Sequence, residues 1–431
     1  MDYILILAAI ALMCILSYKG MPIIPVTVVC SLLVGFLLDG GPAAALSQSF
    51  LPGFSGYAGN MFLLFVFGGL FGNLMVESGA AMSIGYTLME KIDKRFAPYI
   101  VVLFAAICNI AGITLAMFTA YPIGLALFKA ADIPKKFLPC CFMVGACSFA
   151  NCAIPGYPSA LNILPSQILG TSLYAAPVLS LVCAIFLMGI SFAFIHVITT
   201  RAKRRGEHFQ LSEGETIQEM DRDQLPGFFL SLLPLLLVIV VSVLLGLVTD
   251  ATTAVTLALM AACLLCYLMF RNRFPNFMKS FSSGCLVGLP GVCITASVVG
   301  FGAVVQATPA FATLTSMIVG GDGNPYLISV IGVSVIAALT GSAAGSTRIF
   351  LDGFGPQMLE MGASASALHR IVAITAHGFD SLPHAGGTVV NFELFRVKLS
   401  EGYKYVFVTN VCFTFLTGLL AALLATAGLV F

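Results

Sequence analysis

Apolar residues fall along this chain in blocks of about 20, the length an α-helix needs to cross the hydrocarbon of a bilayer. Candidate spans lie near 3–18, 21–40, 59–78, 137–168, 173–198, 226–248, 253–270, 284–306, 366–395 and 405–430. The blocks 137–168 and 366–395 are too long for one crossing, and each has Gly and Pro at its middle. Two more apolar stretches, 98–131 and 324–361, are interrupted by small polar residues and read as re-entrant hairpins with tips at mid-membrane. The pattern predicts an all-α polytopic membrane protein.

The order of elements repeats at an offset of about 228 residues. FGNLMVESGAAMS at 71–83 matches FGAVVQATPAFAT at 301–313, and the hairpins begin at Tyr99 and Tyr326. The broken helices carry AIPGYPSALN at 153–162 and SLPHAGGTVV at 381–390, which sets Pro155 opposite Pro383. This divides the chain into a first repeat at 1–200, a linker at 201–225 and a second repeat at 226–431. Each repeat has five spans, one hairpin and one broken helix. Five is odd, so the second repeat is expected to be inverted, as in secondary transporters with helices discontinuous at the midplane.

Composition agrees. Hydrophobic residues are 59% of the chain and charged residues 9%, against about 25% charged in soluble domains; mean hydropathy is +1.03. A net charge of +1 gives no footprint for nucleic acid. The start, MDYILILAAIALMCILSYKG, lacks the basic region of a cleaved signal and reads as the first span. With the N-terminus outside, all of the 20 basic residues except Arg348 and Arg370 fall on the inner side. Treating either hairpin as a single span destroys that bias. The chain is therefore expected in the plasma membrane, or inner membrane, with the linker cytoplasmic and both termini outside. Its 13 Cys are scattered through apolar segments and behave there as small apolar residues, Cys263 and Cys266 included.

The candidate chemistry lies in 340–391. The run Gly341-Ser342-Ala343-Ala344-Gly345-Ser346-Thr347 reads as a chain reversal, with Ser346 or Thr347 capping the returning limb, the alternative being a small-residue helix crossing. Such a helix start at mid-membrane suits an anion. Arg348 either binds a carboxylate through paired hydrogen bonds or pairs with Asp352 one turn on. The second break, His377 to Gly387, combines Asp380, Ser381, Pro383, His384, Gly386 and Gly387, followed by Thr388. Asp380 is the candidate carrier of H+ or Na+, with His377, Ser381 and Asp352 as its supporting set and His377 and His384 as proton relays. A hydrogen-bonded structural knot is the alternative. His369 and Arg370 stand near a helix end and read as interfacial. In the first half, Asn109, Thr114, Asn151, Ser159 and Asn162 offer neutral hydrogen bonds to a solute, or simply pack helices.

GSAAGSTRIFLDGFGP, ALHRIVAI and DSLPHAGG resemble the GntP family of carboxylate permeases, within the ion transporter superfamily. AIPGYPSALNILPSQILGTSLYAAP at 153–177 is similar to its hydroxybutyrate-type members. The pattern departs at Arg348, where a smaller neutral residue is usual, and at Ala385, where Asn is usual. The gluconate-type PHPGP is absent. The resemblance implies uptake of gluconate-like or short hydroxy acids, usually with H+. It also implies a homodimer whose protomers pair a scaffold with a transport domain that moves as an elevator.

The expected function is secondary active import of a small organic anion, coupled to H+ or Na+. A Na+/H+ antiporter without organic substrate and an ion channel are the alternatives. No HExxH, GxSxG or GxGD motif is present, so an intramembrane enzyme is not expected, and no cofactor is called for.

Overall fold

The computed structural model describes residues 2–110, 117–156, 159–212, 215, 224–246, 248–319 and 323–431, and they are helical with no strand among them. The first half comprises α1 (Asp2–Tyr18), α2 (Ile23–Gly35), α3 (Gly41–Glu77), α4 (Ala80–Lys91), α5 (Ala97–Ile110), α6 (Met117–Ala131), α7 (Lys135–Ala153), α8 (Ala160–Leu169) and α9 (Pro177–Arg204). The second comprises α10 (Phe228–Leu245), α11 (Ala251–Phe270), α12 (Phe277–Gln306), α13 (Pro309–Val319), α14 (Pro325–Thr340), α15 (Ala343–Glu360), α16 (Ala365–Phe379), α17 (Gly386–Leu394) and α18 (Leu399–Thr426).

Seven of these helices are long and apolar enough to cross a membrane: α3, α7, α9, α10, α11, α12 and α18. The chain is thus a multi-pass membrane protein. α1, α2, α8 and α14 are apolar but shorter. The two overlong blocks each resolve into two helices, the longer α7 with the short α8 and α16 with the short α17. Large apolar side chains such as Ile185, Phe229 and Leu264 stand exposed on α9, α10 and α11, as lipid-facing helices require.

α3 and α12 form the backbone of the assembly, and glycine lets them touch. A Cβ on Gly288 would stand 1.9 Å from the Phe65 carbonyl oxygen, and one on Gly69 would stand 2.6 Å from the Gly288 nitrogen. With no hydrophobic drive between helices in lipid, such close backbone approach is a main source of association. α16 is packed on every side: 367–378 are all buried. A helix surrounded in this way sits at a protein centre.

Candidate functional site

The second helix pair turns at Gly341, which adopts φ +61° and closes α14 through its N–H to Ala337 O. Ser342 then opens α15 in extended backbone, its Oγ accepting from Gly345 N at 3.1 Å. Ser342 is the cap, which corrects the expectation that Ser346 or Thr347 would serve. The reason is register: a cap takes its bond from an N–H three residues ahead, and Ser346 and Thr347 already lie inside the helix. Ser346 Oγ instead donates to Ala343 O at 2.9 Å, and Thr347 Oγ1 is buried with no hydrogen-bond partner.

This turn meets the break between α16 and α17. Gly341 has Ala385 Cα within 3.7 Å and His384 Cδ2 within 3.8 Å of where its Cβ would be. Asp380 ends α16, and its Oδ2 accepts from Ala343 N at 3.0 Å. Its Oδ1 lies 3.2 Å from His377 Nδ1 and 3.4 Å from Ser381 Oγ. The Asp380 side chain is 19% exposed. The helix start that the sequence offered to an anionic solute is therefore held by a carboxylate of the protein. His384 Nε2 faces Ala338 O at 3.1 Å, which makes it the donor and leaves Nδ1 to accept from Cys14 Sγ at 3.1 Å. His384 thus ties the break to α14 and to α1.

α17 begins differently. Ala385 precedes it without a side-chain cap, so first-turn N–H groups stay available. A Cβ on Gly386 would crowd Thr295 at 3.0 Å, whereas one on Gly387 would meet nothing within 4 Å. Thr388 Oγ1, one residue on, is buried and has no partner. A positive helix end, room beside Gly387 and an unclaimed hydroxyl lie together here.

Arg348 and Asp352 stand apart from this cluster. They pair with each other at 3.3 Å on the outer stripe of α15, with side chains 69% and 53% exposed. Of the two readings open for Arg348, its partner in this structure is Asp352. The two groups are not brought to Asp380.

In the first half, Pro155 and Gly156 break the chain after a π-helical turn, Val144–Ala153, that ends α7. Ser159 Oγ crosses the break to Asn151 O at 2.9 Å. Asn162 Nδ2 reaches back to Ile154 O at 3.2 Å. Asn109 is buried at the end of α5, with its Oδ1 unpartnered. Thr114, at the expected tip of this hairpin, lies outside the described residues.

Beside this break sits a group the sequence reading misplaced. Arg370 is 0% exposed, the largest fully buried side chain among the described residues. Its Nη2 donates to Asn162 Oδ1 at 2.6 Å and to His369 Nε2. Its Nη1 reaches Ser180 Oγ at 3.5 Å. Since the guanidinium only donates, His369 Nε2 carries the lone pair, and Nδ1 donates to Thr171 Oγ1 at 2.7 Å. Both residues are buried inside the protein rather than exposed at the helix end. The sequence holds no clear signal for this: α16 carries His369, Arg370, Thr375 and His377 among its apolar residues, and its burial on every side is seen only in the structure.

A cleft of about 1280 Å³ opens at one end of the molecule. It is lined by the α1–α2 turn, the start of α7, residues 206–212, and the end of α17 with the start of α18. The linker is fastened across its edge. Glu215 bonds Lys135 and Tyr121, Lys136 pairs with Glu207, and Ser212 Oγ donates to Arg396 O. His208 Nδ1 meets Asp132 at 2.7 Å. Burial pushes the Glu215 carboxyl up, but hydrogen bonds from Lys135, Tyr121 and Ser212 N outweigh it and hold it below its ordinary value.

A family model described as GntP family permease matches residues 1–350. The chain is 25% identical over 475 residues to a Bacillus subtilis protein named as the uncharacterized transporter YxjC, with 100% of each covered. It is 29% identical over 139 residues to the high-affinity gluconate transporter of Escherichia coli, covering 32% of this chain and 30% of that protein. It is also 27% identical over 182 residues to the Gnt-II system L-idonate transporter of Escherichia coli, covering 40% of each.

Proposed function

The chain belongs to the GntP permease family, and from that membership we propose that it is a secondary active transporter importing a small organic anion of the hydroxycarboxylate or sugar-acid class, coupled to H+ or Na+. Relatives named for gluconate and L-idonate support the substrate class. The observation that carries the reading is Asp380: a largely buried carboxylate set between His377 Nδ1 and the first N–H of α15, at the meeting point of two helix discontinuities. Ionisable groups placed this way in membrane proteins mark ion pathways.

In this reading Asp380 takes the coupling ion, with His377 and Ser381 completing its shell. Loading with H+ or Na+ cancels the carboxylate charge that Ala343 N–H and the dipole of α15 now stabilise. That frees the α14–α15 turn to move relative to the break. The substrate carboxylate sits at the open start of α17, on Gly386, Gly387 and Thr388, with hydroxyls directed to Thr347, Asn109 and Asn151. The cleft is the inward-facing route, since its lining loops are those the charge bias assigns to the cytoplasm. The two hairpins and two broken helices move together as a transport domain against a scaffold. Inverted repeats at 1–200 and 226–431, and a homodimer, complete the proposal.

The test is uptake of labelled gluconate-class acids into proteoliposomes under imposed H+ or Na+ gradients. Saturable, gradient-dependent accumulation is expected. Ion flux without any carboxylate dependence would replace the reading with an antiporter, and currents beyond alternating access would replace it with a channel.

A further inference from the structure

We propose that Arg370 is a second anion-binding point on the permeation route, which the substrate carboxylate engages on the side of the breaks away from the cleft before it passes to the start of α17. The inference rests on the transport reading above and adds a residue to it.

Three observations carry it. First, the charge is uncompensated. Arg370 is fully buried, and no carboxylate lies within ion-pair distance of it among the described residues. Buried cations are ordinarily paired, because neutral acceptors recover only part of the lost hydration. Here the acceptors are an amide, a hydroxyl and an imidazole. Second, donors are left over. A guanidinium has five N–H bonds; three are used, and buried Nε has no partner at all. Third, the neighbours add positive character. Asn162 is in the first turn of α8 and Ser180 in the first turn of α9, so two positive helix ends converge on an unpaired cation. A purely structural arginine would be placed near helix C-termini or acids. Among the described residues, neither partners this one.

Its position follows from the path of the chain. α7 leaves the cleft at Lys135, breaks after Ala153 and continues as α8 toward Thr171. α16 starts at that far end and reaches the cleft through α17. Arg370, in the second turn of α16, therefore lies beyond the breaks. Ten residues separate it from Asp380, about 15 Å along one helix. The second anion point and the coupling-ion carboxylate are thus carried by the same helix, one beyond the break region and one at it. The tie from Asn162 Nδ2 to Ile154 O makes the first break part of the cover over Arg370.

The experiment compares wild type, Arg370→Lys and Asn162→Asp in proteoliposomes for KM and maximal rate of gluconate uptake, with thermal stability in detergent measured beside them. Arg370→Lys keeps the charge and loses the planar fork; KM should rise at least about tenfold with the protein still folded. Asn162→Asp sets a carboxylate beside the guanidinium, so substrate must compete with it. KM should again rise at least about tenfold, without loss of folded protein. If Arg370→Lys fails to fold, Asn162→Asp decides alone. A wild-type KM in the folded variants would overturn the role of Arg370 and leave the transport reading standing. No saturable uptake by wild type would take down both.

Discussion

The backbone N–H of Ala343 donates to Oδ2 of Asp380 at 3.0 Å. The start of one membrane helix is thereby closed by a carboxylate from the broken end of another, 37 residues along the chain. A charge change on Asp380 is felt directly by the α14–α15 turn. Under the coupling proposed above, this gives ion loading a physical means to alter the fit between the turn and the break.

The turn depends on Gly341, whose φ of +61° is a left-handed conformation that costs a side chain about 1–2 kcal/mol. Gly341→Ala is expected to lower thermal stability in detergent by that order, with Gly341→Asn milder because Asn tolerates this region. Equal stability of all three proteins would mean that the turn is not held in this conformation.

Gly288 sets the distance between α3 and α12. A methyl there would meet the Phe65 carbonyl oxygen at 1.9 Å, and backbone cannot swing aside as a side chain can. Gly288→Ala should therefore cost about 1–3 kcal/mol or more, read as a fall in melting temperature. Gly56, with open space around it, is the control, and its alanine variant should melt within a degree or two of wild type.

Thr388 separates binding from stability. Its hydroxyl is buried and partnerless, so Thr388→Val should leave stability unchanged or slightly raised. If the substrate uses that hydroxyl, KM rises about threefold to tenfold. An unchanged KM in the uptake assay would move the anion away from the start of α17.

The linker should release in acid. Glu215 is held below its ordinary value of 4.5 by Lys135, Tyr121 and Ser212 N, with burial opposing them. A carboxyl lowered in the folded state contributes stability above its unfolded value, and that contribution is lost as pH falls through the folded one. Docking should thus persist from pH 7 to about 4.5 and weaken only below it. The chain has no Trp, so Gln210→Trp provides a single reporter for fluorescence anisotropy. Adding Glu215→Gln should lower the anisotropy at every pH without freeing the linker outright, since Glu207, His208 and Ser212 also hold it, and should cost about 3 kcal/mol by leaving buried Lys135 unpaired. Anisotropy independent of both changes would contradict this docking.

Much of the site was legible because helix breaks need particular residues. Pro155 with Gly156, and Pro383 with Gly386, interrupt apolar runs too long for one crossing. Gly341 before Ser342 marks a reversal and its cap, although register placed the cap four residues earlier than Ser346. Asp380 stood out as an acid between Gly378 and Pro383 of the second break. Arg370 did not, because its partners Asn162 and Ser180 are 208 and 190 residues away, and periodicity carries no information at that range. Proximity to a helix start made it look exposed, and only the packing of α16 on every side shows it to be buried. The exposed pairing of Arg348 with Asp352 was equally hidden, since spacing alone allowed both of its readings.

Asp380 is best tested by replacing it with Asn, which keeps the shape and an acceptor for Ala343 N–H but cannot carry a coupling charge. In proteoliposomes preloaded with gluconate, wild type should both exchange label and accumulate it under an imposed H+ or Na+ gradient. The Asp380→Asn protein should exchange label but fail to accumulate it under either gradient. Gradient-driven accumulation at the wild-type level by Asp380→Asn would contradict the assignment of the coupling ion to this carboxylate.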